Sequence, residues 1–103
     1  MAYYECSGNG EIEQTKITLS GNPVTYTFPD DCTYVFISCY YNLGNNGTES
    51  IYYNNTLINT FSGGSGHPYI IINGYAKKGD TISANTKLGW GSAIPTIITS
   101  KVK

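Results

Sequence analysis

The chain of 103 residues carries six Lys, no Arg, seven acidic residues and one His, a net charge of -1 on only 13% charged and 40% hydrophobic residues. That length fits one domain over residues 1–103, and so low a charge with so many apolar residues argues against a disordered chain. Without Arg the chain lacks the bidentate reader of phosphate and guanine, so nucleic acid is not an expected partner. Apolar runs such as Ile70 to Ile72 fall far short of the roughly 20 residues that span a bilayer, so no membrane insertion is expected.

No window holds apolar residues at a 3.6-residue period, whereas β-branched and aromatic residues recur in short runs divided by Gly, Asn, Asp and Pro. The runs predict strands near Glu13 to Leu19, Val24 to Phe28, Thr33 to Asn42, Ser50 to Tyr53, Thr56 to Ser62, Tyr69 to Tyr75, Asp80 to Asn85 and Ala93 to Ser100. In the second, Val24, Tyr26 and Phe28 alternate with Thr25 and Thr27, the pattern of a strand with one wet face. The third is apolar on both sides: Val35, Ile37, Cys39 and Tyr41 share one face, and Tyr34, Phe36 and Tyr40 the other. One face can pack on an opposing sheet, so the second must meet loops or another subunit. Gly44 to Gly47, Gly63 to Gly66, Lys78-Gly79-Asp80 and Gly89-Trp90-Gly91 read as turns or loops. Asn54-Asn55 reads as a type I′ hairpin, because Asn tolerates the two consecutive positive φ angles that this turn demands. About eight strands at such spacing predict an all-β chain, an antiparallel β-sandwich of jelly-roll type.

Cys6, Cys32 and Cys39 are an odd set, and no basic-then-apolar leader follows Met1, so three reduced thiols are expected in a protein that begins at Met1 and is cytoplasmic before assembly, or part of a virion after it. Cys32 and Cys39, seven residues apart in one strand, would stand about 23 Å apart, beyond disulfide reach. Cys39 reads as a small core residue. One His and no Cys-x-x-Cys leave a structural zinc site without its ligands, and no metal or cofactor is expected.

Catalysis finds little support. Gly63-Gly64-Ser65-Gly66-His67 lacks the spacing of a nucleophile elbow and of a phosphate-binding loop, and it precedes a strand rather than a helix. No sequence spacing singles out a pair of carboxylates for glycoside cleavage. The positive signal is ten Tyr, one Trp and ten Asn on a nearly uncharged background, a mixture suited to contact surfaces that bind without charge. Ring faces can meet the C–H face of a sugar while Asn and Ser serve its hydroxyls, and Tyr is equally a strong strand former. Asn45, Asn46, His67, Tyr69 and Trp90 are therefore the candidate ligand contacts. Trp90, between two glycines, reads as an exposed platform or as a buried plug. Tyr34, Phe36 and Tyr40 are the candidate subunit contacts.

The runs Tyr26-Thr27-Phe28-Pro29-Asp30-Asp31-Cys32-Thr33-Tyr34-Val35, Ile51-Tyr52-Tyr53-Asn54-Asn55-Thr56, Tyr69-Ile70-Ile71-Ile72 and Lys77-Lys78-Gly79-Asp80-Thr81-Ile82 resemble small phage tail-fibre or prophage-encoded heads. More distantly, the chain resembles the trimeric jelly-roll heads of the complement and tumour-necrosis-factor superfamily. It lacks the Phe-rich strands of the latter and is shorter. The resemblance implies a homotrimeric, non-enzymatic head used for virion structure or for attachment to a host surface glycan or polymer. The alternative is a monomeric, lectin-like carbohydrate-binding module.

Overall fold

A computed structural model describes residues 11–21, 23–31, 33–72, 74–87 and 92–102, the side chains of 44–46, 92–94 and 102 excepted. Among these residues there are seven strands, all paired antiparallel: β1 (Ile12–Thr18), β2 (Val24–Thr27), β3 (Thr33–Tyr53), β4 (Thr56–Gly66), β5 (Tyr69–Ile71), β6 (Thr81–Lys87) and β7 (Ser92–Val102). The sheet runs β1-β7-β3-β6-β2, with β4 and β5 also on β3. The all-β expectation holds, and the sheet curls into a sandwich-like, jelly-roll-like form.

The long strand β3 organises the fold. Its first half, residues 33–42, pairs with β7 and β5 and, at Tyr41 and Asn42, with the end of β4; its second half, residues 48–53, pairs with β6 and β4. The curl brings Val35 and Ile37 from the first half, with Ile97 of β7 and Ile70 of β5, into one buried cluster with Ile51 from the second half and Ile82 and Ala84 of β6. Phe28, Leu19 and Ala76 complete it. Such alternation is what period-2 patterning demands of a strand with one dry face.

Two expected breaks are strand instead. Gly44 to Gly47 does not turn the chain back but lies within β3, where the pairing to β4 slips between Asn42 and Gly44 and again between Gly44 and Thr48. The chain stays in the sheet because Asn42 and Thr48, on either side, pair with Ser65 and Ser62 of the same strand, so the surplus residues bulge out. Gly47 is required there: a Cβ would sit 2.1 Å from the Leu43 carbonyl oxygen. The Gly63 to Gly66 segment is likewise no loop but the end of β4, carried round by positive φ at Gly63 (61°) and Gly64 (62°) opposite that bulge.

Asn54 and Asn55 have φ of 48° and 66° and join β3 to β4 as the expected two-residue hairpin. Their turn is tied to the Lys77–Asp80 turn. Asn54 donates from Nδ2 to Asp80 Oδ1 (3.1 Å) and accepts at Oδ1 from the Thr81 amide (2.9 Å). Asp80 Oδ2 also accepts from the Tyr53 hydroxyl and from the Lys77 amide (3.0 Å). Desolvation pushes the Asp80 carboxyl upward, but the Tyr53, Lys77 and Asn54 donors outweigh it and hold its pKa below the ordinary value. Burial, with the same carboxylate as neighbour, raises the Tyr53 phenol.

Candidate functional site: an aromatic sheet face

The two halves of the sheet present different outer surfaces. On β2 and β6 the outward residues are mostly small and hydroxyl-bearing, with Thr25 Oγ1 and Ser83 Oγ 3.1 Å apart; farther on, Ser50 Oγ and Thr60 Oγ1 lie 3.5 Å apart, and Tyr52 and the exposed Leu57 continue the row from Ser83. Around the first half of β3 the outer surface is aromatic. Register places Phe36 beside Ile98 on β7 and Ile71 on β5, and Ser38 beside Thr96 and Tyr69. Lys16 of β1 follows Ile98, and Thr18 follows Thr96.

The rings form two contact sets. His67 stacks on Tyr69 (centroids 5.5 Å, interplanar angle 29°), Tyr69 stacks on Phe36 (5.3 Å, 29°), and Tyr40 meets His67 edge-on (6.0 Å, 86°). Ser38 Oγ and His67 Nε2 share a hydrogen bond of 2.6 Å, which fixes the imidazole in the row. Farther along, Tyr34 packs edge-on against Tyr75 (4.5 Å, 65°) and donates to its hydroxyl at 2.7 Å; that bond, with smaller contributions from burial and charge, raises the Tyr34 phenol. These contacts orient the rings without drying them: Tyr34 is 48% exposed, Tyr40 51% and Tyr69 63%, and the neighbouring Ile71 is 73% exposed.

Two hollows open on this face. One, of about 420 Å3, is largely apolar and lies among Tyr34, Phe36, Ile71, Ile72 and Ile98 with Gln14 at its rim. The other, of about 300 Å3, is more polar and is bounded by Lys16, Ser38, Tyr40, His67, Thr96 and Ile98.

Residues that the sequence divides between subunit contact (Tyr34, Phe36, Tyr40) and ligand contact (His67, Tyr69) thus share one continuous surface. The Asn45 and Asn46 side chains and all of Trp90 lie outside the described residues, as do Cys6 and Cys32. Tyr75, Ile71 and Lys16 join the face unanticipated. Tyr75 could not be assigned from alternation, since it follows the end of β5 and reaches Tyr34 through the chain's return to the isolated bridge between Ala76 and Thr33.

Beneath the sheet lies a second polar cluster. The fully buried Glu49 accepts from Cys39 Sγ at Oε1 (3.0 Å) and from Thr86 Oγ1 at Oε2 (3.1 Å). Burial, and then the carboxylate, raise the Cys39 thiol, which stays protonated as a donor. With no solvent access and both oxygens partnered, the cluster is built to hold β3 to β6. Among the described residues, no group of three or more His, Cys, Asp or Glu is placed to hold a metal ion, and no helix is long and apolar enough to cross a membrane.

No protein-family model matches the chain, and no curated protein or solved structure matches it.

Proposed function

We propose that the protein is a non-enzymatic attachment module that self-associates, as a homotrimer, through its aromatic face. Taking about 150–250 Å2 for an aromatic side chain and somewhat less for Ile, the exposed parts of Tyr34, Tyr69, Tyr75, Ile71 and Ile12 amount to roughly 500 Å2. The largest apolar patch on an ordinary monomer is about 300–600 Å2, and one side of a stable interface is about 800 Å2. The surface that carries the reading is therefore toward the upper end of what a monomer exposes and more than half of what a subunit contributes on assembly. A second copy is the occupant that this area favours. The trimeric state and a role in a phage tail or prophage-encoded structure rest on the sequence resemblance; attachment to a surface glycan or polymer follows from the neutral, ring-rich composition.

Light scattering after size exclusion, at micromolar concentration, tests the assembly. Three times the chain mass is expected, with dissociation when Phe36→Ser and Ile71→Ser are combined. A monomeric wild-type protein would refute it, leaving the monomeric carbohydrate-binding reading, in which the same rings stay free for sugar.

A further inference from the structure

The polar hollow next to Lys16 differs from the rest of the face in its charge. Along β1 the outward positions are Ile12, Gln14, Lys16 and Thr18, in register with Val102, Ser100, Ile98 and Thr96 of β7. Across β3 the row continues through Tyr34, Phe36, Ser38 and Tyr40, and then to Tyr69 and Ile71. None of these outward residues is acidic, while Lys16 and His67 both line the hollow. Glu13 belongs to the opposite face of β1 by alternation. The site therefore offers a lysine, an imidazole, three hydroxyl-bearing side chains in Ser38, Tyr40 and Thr96, and a corner made by two rings at 86°. At about 300 Å3 it is as large as the smaller ligand sites of proteins.

We infer that this hollow is a subsite for an acidic saccharide unit, a sugar bearing a carboxylate, as in a uronate. The inference rests on the attachment reading above and names the chemistry of what is attached. Lys16 meets the carboxylate, the Tyr40 and His67 rings bracket the C–H face of the pyranose, and Ser38 and Thr96 serve its hydroxyls. The chain's uncharged composition makes a lone Lys among hydroxyls and rings a selective element: a neutral sugar would leave Lys16 unpaired. The more apolar hollow beside Tyr34 and Ile71 remains available to the neighbouring subunit.

The test is titration of the 15N-labelled full chain with a glucuronate-containing disaccharide, its neutral glucose counterpart and acetate, followed by amide shifts, with the oligomer mass measured in the same samples. The acidic disaccharide should move the signals of Lys16, Ser38, Tyr40 and His67 and bind about ten- to a hundredfold more tightly than the neutral one. Lys16→Gln should erase that preference and Tyr40→Ala should weaken both sugars, while Lys78→Gln, on a remote turn, should change neither. Equal affinity for both disaccharides, acetate shifts matching those of the acidic sugar, or no shift at these residues would overturn the inference. Sugar failing to bind an intact oligomer would sink this subsite alone; a sugar-binding monomer would sink the assembly alone.

Discussion

The buried thiol–carboxylate pair makes stability depend on alkaline pH in a way that one substitution can isolate. In the folded chain Cys39 is shut from solvent and donates to Glu49 Oε1, and its pKa is raised well above the ordinary 9.0. A group whose folded pKa lies above its unfolded one contributes stability that is fully present below the unfolded value and is lost as pH rises beyond it. Above pH 9 the unfolded chain releases this proton while the folded chain keeps it, so stability falls toward a limiting slope of about 1.4 kcal/mol per pH unit, a loss of about 1.4 kcal/mol at pH 10. Lysines and tyrosines titrate in the same range, so the quantity to measure is a difference. Urea denaturation of wild type and of Cys39→Ser should be compared at pH 7, 9 and 10. The serine hydroxyl keeps a donor for Glu49 but does not ionise there, so the variant should lose about 1.4 kcal/mol less than wild type between pH 7 and 10. Parallel losses in the two proteins would refute the burial and protonation assigned to Cys39.

The same pair predicts that Cys39→Ala, which strips Glu49 of a donor and opens a small cavity, destabilises by about 2–4 kcal/mol at pH 7, against about 1 kcal/mol or less for the serine, by the same denaturation. Gly47→Ala should prevent a stable fold or cost several times the ~1 kcal/mol of an ordinary surface change, since its Cβ overlaps the Leu43 carbonyl; retention of the wild-type melting temperature would contradict the bulge. Because the Asp80 pKa is depressed in the folded chain, its contribution is present above the unfolded value near 3.8 and is lost as pH falls through the folded one. Asp80→Ala should flatten that acid limb in thermal melts between pH 2 and pH 5, and it should destabilise at neutral pH by leaving the Tyr53, Asn54 and Lys77 donors without their acceptor.

Much of the fold is legible from alternation because most inner positions are apolar. Val35, Ile37 and Cys39 on β3, and Ile82 and Ala84 on β6, announce their side of the sheet, and Asn54-Asn55 announces its turn through a backbone requirement that few residues meet. Gly44 to Gly47 misleads because glycine serves a turn and a bulge equally, and only the partner strand decides between them. Glu49 is hidden for a related reason: a carboxylate between Thr48 and Ser50 reads as outward-facing, and its burial depends on Cys39 and Thr86, ten and 37 residues away. The aromatic face is legible as a strand with two apolar sides. Its extent is not, since His67 joins it from the segment after β4, Tyr69 from β5 and Tyr75 from the return to Ala76.

The hydroxyl-covered half of the sheet bears directly on why the rings stand where they do. Around β2 and β6 this chain covers an outer surface with Thr25, Thr27, Ser83 and Asn85 and still packs Ile82 and Ala84 beneath it, so these strands fold without aromatic residues on their outside. Tyr40 and Tyr69 remain more than half exposed, and an exposed ring recovers little of its transfer free energy on folding. Replacing Tyr40 or Tyr69 by Thr, a strand former of the kind used on the other half, should therefore shift stability by no more than about 1 kcal/mol in urea denaturation of the dissociated chain. The Tyr69 replacement should also weaken association measured by light scattering, whereas that of Tyr40, which lines the hollow beside Lys16, should not. A large loss of monomer stability would show that the rings serve the fold; unchanged stability with unchanged assembly in the Tyr69 variant would remove that ring from the interface.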